Sequence, residues 1–250
     1  MTEILQKQIP YNPLQPKKLP GIQPLAMEDW LLPDDAFDAQ MGERDRLLDT
    51  VRDDVLMLEE GAMAAAQELL RMVLAQLYGG ASTQVTRPCG TSVVIDWEDP
   101  LGSLGRITQQ DFCLLQKRGD EHVMTGAVLC FPASWKLSEK ISKPLIDIHE
   151  PIDSYDTGIA ARVQRLFDGV QPGRPLWRFN ALWYQDSALH QPRSRHQRRA
   201  SVDPERGGYF RSERQMILRL PESKAVVFCI HTFVVRRADL IVQWGSLNSK

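Results

Sequence analysis

Apolar residues recur at three- and four-residue steps in two early stretches of the chain. Over residues 36–58, Met41, Leu47, Leu48, Val51, Val55 and Leu58 fall on one face, with Arg44, Asp45, Arg52 and Asp53 on the other, which predicts a helix. Trp30, Leu31 and Leu32 form an apolar anchor ahead of it, and Pro33-Asp34-Asp35 reads as its start. A second helix is predicted over 62–78, ending at Gly79-Gly80, where a left-handed cap fits. Its Met63, Leu70, Met72 and Leu77 read as core packing, not as a cofactor-facing stripe. The period then shortens. Residues 91–97 read as a strand, 107–116 as a short amphipathic helix, and 122–131 as an apolar strand with His122 exposed at its mouth. A helix is predicted over 156–168 and a strand over 176–184. Residues 209–220 and 225–236 flank Pro221-Glu222-Ser223-Lys224 as a β-hairpin.

Two stretches break the pattern. Residues 1–29 carry Pro10, Pro13, Pro16, Pro20 and Pro24, so they are expected to form an extended arm on the surface of a single domain spanning 30–250. Residues 185–208, with His190, His196, Arg193, Arg195, Arg198 and Arg199, read as a solvated, mobile loop. Two helices, then mixed short elements, then a hairpin is an α+β order, met most simply by one curved antiparallel sheet with the N-terminal helices packed against it.

Composition narrows the function classes. At 250 residues, with 43% hydrophobic and 25% charged, the chain has the make-up of a globular protein with a core that needs no staples. A net charge of -2 gives no general pull toward nucleic acid or anionic membrane. The arginine loop lacks the interleaved aromatics of single-strand binders, so no nucleic-acid partner is expected. Cys89, Cys113, Cys130 and Cys229 are scattered without a C-x-x-C pair, and three sit in apolar surroundings as small hydrophobes. Together with the lack of a secretory pattern and of an eighteen-residue apolar run, this sets a cytoplasmic, membrane-free expectation.

The common chemical motifs are missing: no G-x-G-x-x-G, no G-x-x-x-x-G-K-[ST], no H-E-x-x-H and no G-x-S-x-G. His149 stands at a punctuated junction, because Pro151 pushes Glu150 out of helical geometry. Such a histidine can offer one ring nitrogen to a cavity, though by spacing alone a structural, hydrogen-bonded histidine is the plainer reading. Arg211, Glu213 and Gln215 share one face of a strand by period two, lining either solvent or a cavity. His231 interrupts an apolar run on the next strand. An even turn pairs Glu213 with Thr232, and an odd turn or a bulge pairs it with His231; both registers stay open.

The runs FPASWKLSEKISKPLIDIHEPI, RPLWRFN and FRSERQMILRLPESKAVVFCIHTFV, together with Pro20-Gly21, WLLPDD, RDRLL and ITQQDFCLL, occur in an order that resembles the haem-binding subunit of the haem-dependent oxidative N-demethylases. The resemblance covers residues 20–235. It implies a PAS-like curved antiparallel sheet holding haem b, and a monooxygenase of amine metabolism. O₂ would oxidise an N-methyl group of a small secondary amine such as dimethylamine, and the carbinolamine would fall apart to formaldehyde and a primary amine. Electrons would come from NADPH through separate flavin and iron–sulfur partners of the reductase and ferredoxin type. His149 matches the I-H-x-P motif and becomes the expected iron ligand. Arg211 and Glu213 match R-x-E-R-Q, and a carboxylate there could pair with a substrate ammonium or relay protons. Arg178 and Asn180 match an R-x-N strand whose arginine could meet a haem propionate, and Lys140 is a second propionate candidate. The family's R-x-N-W reads Arg178-Phe179-Asn180-Ala181 here, and its I-R-T-Y reads Ile230-His231-Thr232-Phe233. His231 therefore stands where an arginine would act on oxygen or haem, and it is shorter and titrates near neutrality. The rival expectation is a haem or small-ligand binding module without turnover, sensor-like or degenerate.

Overall fold

The computed structural model describes residues 3–15, 21–149, 157–194, 196–197 and 200–245, with the side chains of residues 149 and 157–161 also outside the description. In chain order the strands are β1 (Gln23–Pro24), β2 (Leu56–Leu58), β3 (Gln84–Thr86), β4 (Ser92–Val94), β5 (Asp111–Arg118), β6 (Glu121–Val128), β7 (Leu176–Tyr184), β8 (Tyr209–Arg219) and β9 (Val226–Arg236). The helices are α1 (Phe37–Thr50), α2 (Arg52–Val55), α3 (Met63–Tyr78), α4 (Pro100–Ile107), α5 (Leu145–His149), α6 (Thr157–Gly169) and α7 (Arg237–Trp244). Seven strands form one open sheet in the order β1-β7-β8-β9-β5-β6-β2, every neighbouring pair antiparallel, and β3-β4 stand apart as a small ribbon. This is the α+β architecture expected from the sequence.

The sheet separates two cores, because successive side chains along a strand point to opposite faces. On one face Phe112, Leu114, Val128, Met216, Leu218, Val227 and Cys229 meet Leu47, Leu48, Leu69, Leu70, Leu101 and Leu104 of α1, α3 and α4. On the other, Cys113, Leu115, Ala127, Ile217 and Ile230 are covered by Leu137, Leu145, Phe167 and Val170, from the segment leading into α5 and from α6. Truncating a buried leucine in either core to alanine would cost about 2–5 kcal/mol. A buried ion pair fastens the helices to the sheet: Arg44 of α1 donates to Asp111 of β5 at 2.6 Å, and Asp111 also accepts the amides of Cys130 and Phe131.

Several sequence expectations need correction. The predicted helix over 107–116 is instead the end of α4 followed by strand β5. Asp99 caps α4 by accepting the Gly102 amide, and Pro100 occupies its first position, so the helix starts and stops earlier. β5 is buried on both faces over most of its length, and a short run of that kind carries no period that separates helix from strand. The first long helix ends at Thr50. Val51 leaves helical geometry at φ -139°, and Leu56–Leu58 become an edge strand against β6. The proline-rich arm does more than lie on the surface. Gln6 and Ile9 are buried, and Gln6 exchanges backbone and side-chain hydrogen bonds with Val234, beyond the point where β5 stops pairing with β9. His122 is buried rather than exposed, because α6 lies over it and Gln164 bonds its ring. Among its described residues the loop over 185–208 forms no strand or helix, yet Leu189 and Gln191 within it are buried. The strand expected over 91–97 shortens to β4, whereas α3 ends at Gly79 in the left-handed region (φ 79°) and β7 spans 176–184 as expected.

Candidate functional site

The turn over 221–224 is closed by a hydrogen bond from the Leu220 amide to the Ala225 carbonyl, and it holds four residues. The even count places Glu213 opposite Thr232 and His231 opposite Arg214. On the other side, β7 sets Asn180 beside Glu213, Arg178 beside Gln215 and Leu182 beside Arg211. One sheet face therefore carries Arg178, Asn180, Arg211, Glu213 and Gln215. This is the face that Leu145 of α5 covers further along, next to Ile217 and Ile230.

Glu213 is the centre of this group and is almost fully buried. Its Oε2 accepts from Asn180 Nδ2 at 3.1 Å and from Gln215 Nε2 at 3.3 Å, and its Oε1 accepts from Arg211 Nη2 at 3.4 Å. Arg211 spends its stronger bonds on backbone: Nη1 donates to the Leu189 carbonyl at 2.9 Å and Nη2 to the Phe131 carbonyl at 2.7 Å. It thus ties the long loop and the segment after β6 to the strand that bears Glu213. Arg178 differs. Its Nε is buried without a hydrogen-bond partner among the described residues, and burial pulls its guanidinium below the ordinary arginine value. Asn180 and Leu182, on the same face, are exposed. Lys140 is buried, and its ammonium donates to the Ile148 carbonyl. The backbone of His149 closes α5, and its side chain, the expected iron ligand, lies outside the described residues.

His231 points the other way. It is fully buried; its Nδ1 lies 2.9 Å from Gln110 Nε2, and its Nε2 lies 2.8 Å from Asp34 Oδ2. An amide nitrogen donates, so Nδ1 accepts and Nε2–H donates to Asp34. Asp34 also accepts from Gln109, Gln6 and the Ala36 amide. Burial alone would raise Asp34, but the bonds from His231, Gln109 and Gln6 outweigh it and hold the carboxyl below its ordinary range. The register therefore brings Glu213, Arg211, Arg178 and Asn180 together and leaves His231 out of that group.

Sequence reasoning missed Asp34, Gln109 and Gln110 as a network, because nothing local announces a contact between residues so far apart. Gln215 lies where the period-two argument puts it, on one face with Arg211 and Glu213. A cleft of about 110 Å³ lined by Leu31, Pro33, Phe37, Tyr78, Pro88 and Gln110 lies away from the Glu213 group and is too small for an ordinary ligand pocket of roughly 300–1,000 Å³.

These observations define a class: an α+β protein with an open antiparallel sheet, one face of which presents a buried acid, two guanidinium groups and amides. A family model described as haem-dependent oxidative N-demethylase, alpha subunit-like, matches residues 21–244, and the chain belongs to that family.

Proposed function

We propose that this chain is the haem-binding oxygenase component of an oxidative N-demethylase acting on a small secondary amine of the dimethylamine type. The observation that carries the reading is the half-buried Arg178, with an orphaned Nε, on the same sheet face as Glu213 and on the side that α5 covers. A guanidinium in that state favours an anion, and a haem propionate would suit it in charge. Haem b, held through His149, would supply the O₂ chemistry that oxidises the N-methyl group. The chain's own residues would do the rest. Glu213 would hold the substrate ammonium, with Asn180 and Gln215 fixing the carboxylate and Arg211 fixing the strand to the surrounding wall. Electrons would come from NADPH through separate flavin and iron–sulfur partners in a cytoplasmic setting.

The departures from the family pattern support retained chemistry. Ala181 pairs with Ser212 and His231 with Arg214, so both lie on the face away from Glu213. Phe233, the third departure, shares that far face and packs 4.5 Å from His231, centroid to centroid. Asp34 and Gln110 complement the histidine there, so its role in this reading is structural rather than catalytic.

The second reading is haem binding without turnover. It draws on the donors that already satisfy Glu213. Absorption spectra of protein expressed with a haem precursor, beside His149→Ala, test the shared part: a Soret band lost or shifted in the variant is expected, and its absence in folded wild type would overturn both. Amine-dependent O₂ uptake with formaldehyde release then separates the two readings.

A further inference from the structure

A helix of five residues has almost no stability of its own, because nucleation costs more than one turn of hydrogen bonds returns. α5 therefore depends on external ties, and the structure supplies them at both ends. Ahead of it, the Met124 amide donates to the Lys143 carbonyl, the Ser142 amide donates to the Met124 carbonyl, and Pro144 bridges to Val123. Leu145 is buried against the sheet. At the other end, the buried Lys140 side chain reaches back to the carbonyl of Ile148, the residue before His149. The family resemblance implies a propionate partner at Lys140; in the structure its ammonium donates to the backbone that places His149.

We propose that Lys140 is the positioning residue for His149: its ammonium clamps the C-terminal end of α5 and so fixes where the histidine stands. The assignment rests on the haem reading above. A cation at the C-terminal carbonyls of a helix is electrostatically favourable, and it cannot be replaced by an apolar group of similar length. Groups that orient a metal ligand from behind affect metal affinity by roughly 10–100-fold when removed, so Lys140 acts on haem retention without touching haem.

The test uses the full chain with Lys140→Met and Lys140→Arg, in apo and haem-loaded forms. In the apoprotein, the Ile148 amide, which donates to the Pro144 carbonyl, is expected to exchange with deuterium at least tenfold faster in Lys140→Met and near the wild-type rate in Lys140→Arg. In the loaded protein, haem transfer to a scavenging globin is expected to be roughly tenfold faster or more in Lys140→Met, with Lys140→Arg again close to wild type. Should circular dichroism show Lys140→Met unfolded, Lys140→Gln, a donor too short to reach, is measured against Lys140→Arg with the same outcomes expected. Unchanged amide exchange overturns the clamp. Faster exchange with unchanged haem transfer overturns the positioning of His149. Wild type that takes up no haem, with no Soret band, overturns the haem reading and this assignment with it, whereas the exchange result alone reports on α5.

Discussion

The two faces of the central sheet hold His231 and Arg178 in different settings. On the helix-covered face, His231 has both ring nitrogens bonded and its partner Asp34 is saturated by Gln6, Gln109 and the Ala36 amide. Unpartnered guanidinium nitrogens occur on both sides, in Arg44 and Arg214 as in Arg211 and Arg178, but Arg178 on the Glu213 face has no side-chain hydrogen bond at all among the described residues. A buried polar group left unsatisfied costs about 1–3 kcal/mol, so the fully bonded His231 reads as scaffold, and a guanidinium bonded nowhere among the described residues leaves a place for an anion. On the proposed reading, His231 belongs to the scaffold and Arg178 to the site.

The largest expected effect comes from the tie that serves both faces. Arg44 and Asp111 are buried together, and Asp111 holds the Phe131 amide whose carbonyl accepts from Arg211. Replacing Arg44 by Met strands a buried carboxylate and should destabilise by about 3–5 kcal/mol in urea unfolding. Next, His231→Ala leaves Asp34 and Gln110 without their partner and should cost about 1.5–3 kcal/mol, while the Soret band of loaded protein stays in place. A lost Soret band with unchanged stability would invert the assignment of the two faces.

On the open face the pattern reverses. Arg178→Met removes a half-buried cation that has no acid bonded to it among the described residues, so stability should move by less than about 1 kcal/mol while haem dissociates faster. Glu213→Gln keeps the size of the side chain and should likewise change stability by no more than about 1 kcal/mol, yet abolish amine-dependent formaldehyde release. If Glu213→Gln costs as much stability as His231→Ala, Glu213 is part of the scaffold and the second reading gains.

How much of this was legible in the sequence follows from burial and distance. The β8–β9 hairpin was readable because its turn residues interrupt two apolar runs, and α3 because Gly79 ends it. β5 was not, since burial on both faces erased the alternation that separates strand from helix. Arg211, Glu213 and Gln215 could be grouped from period two alone, whereas their opposition to Asn180 and separation from His231 needed the register. That register is set by a four-residue turn containing Lys224 at φ 61°, a conformation the residue types do not dictate. Gln6, Asp34 and Gln110 converge on the last strand from far along the chain, and only the packed arm brings them there.

The smallest expected effect is a difference between the faces in acid. His122, on the Glu213 side, accepts from Gln164 of α6 at Nδ1, so its Nε2 carries the proton, buried and without a partner among the described residues. Burial lowers its affinity for a second proton, the nearby Arg219 and Lys117 charges lower it further, and Asp168 only partly opposes them. The unfolded chain therefore binds that proton more readily than the folded one. The stability His122 contributes is complete above its ordinary pKa of about 6.5 and is lost as pH falls through the depressed folded value. Asp34, on the other face, is also depressed, so its contribution is complete above about 3.9 and is lost only as pH falls through a still lower value. Between pH 7 and 5, amide protection, taken relative to the intrinsic exchange rate at each pH, should fall in α6 before it does in α1, and His122→Asn should reduce that pH dependence. Loosening of α1 first would mean that the helix-covered face is the more acid-sensitive one, against the closed character of the Asp34–His231 network.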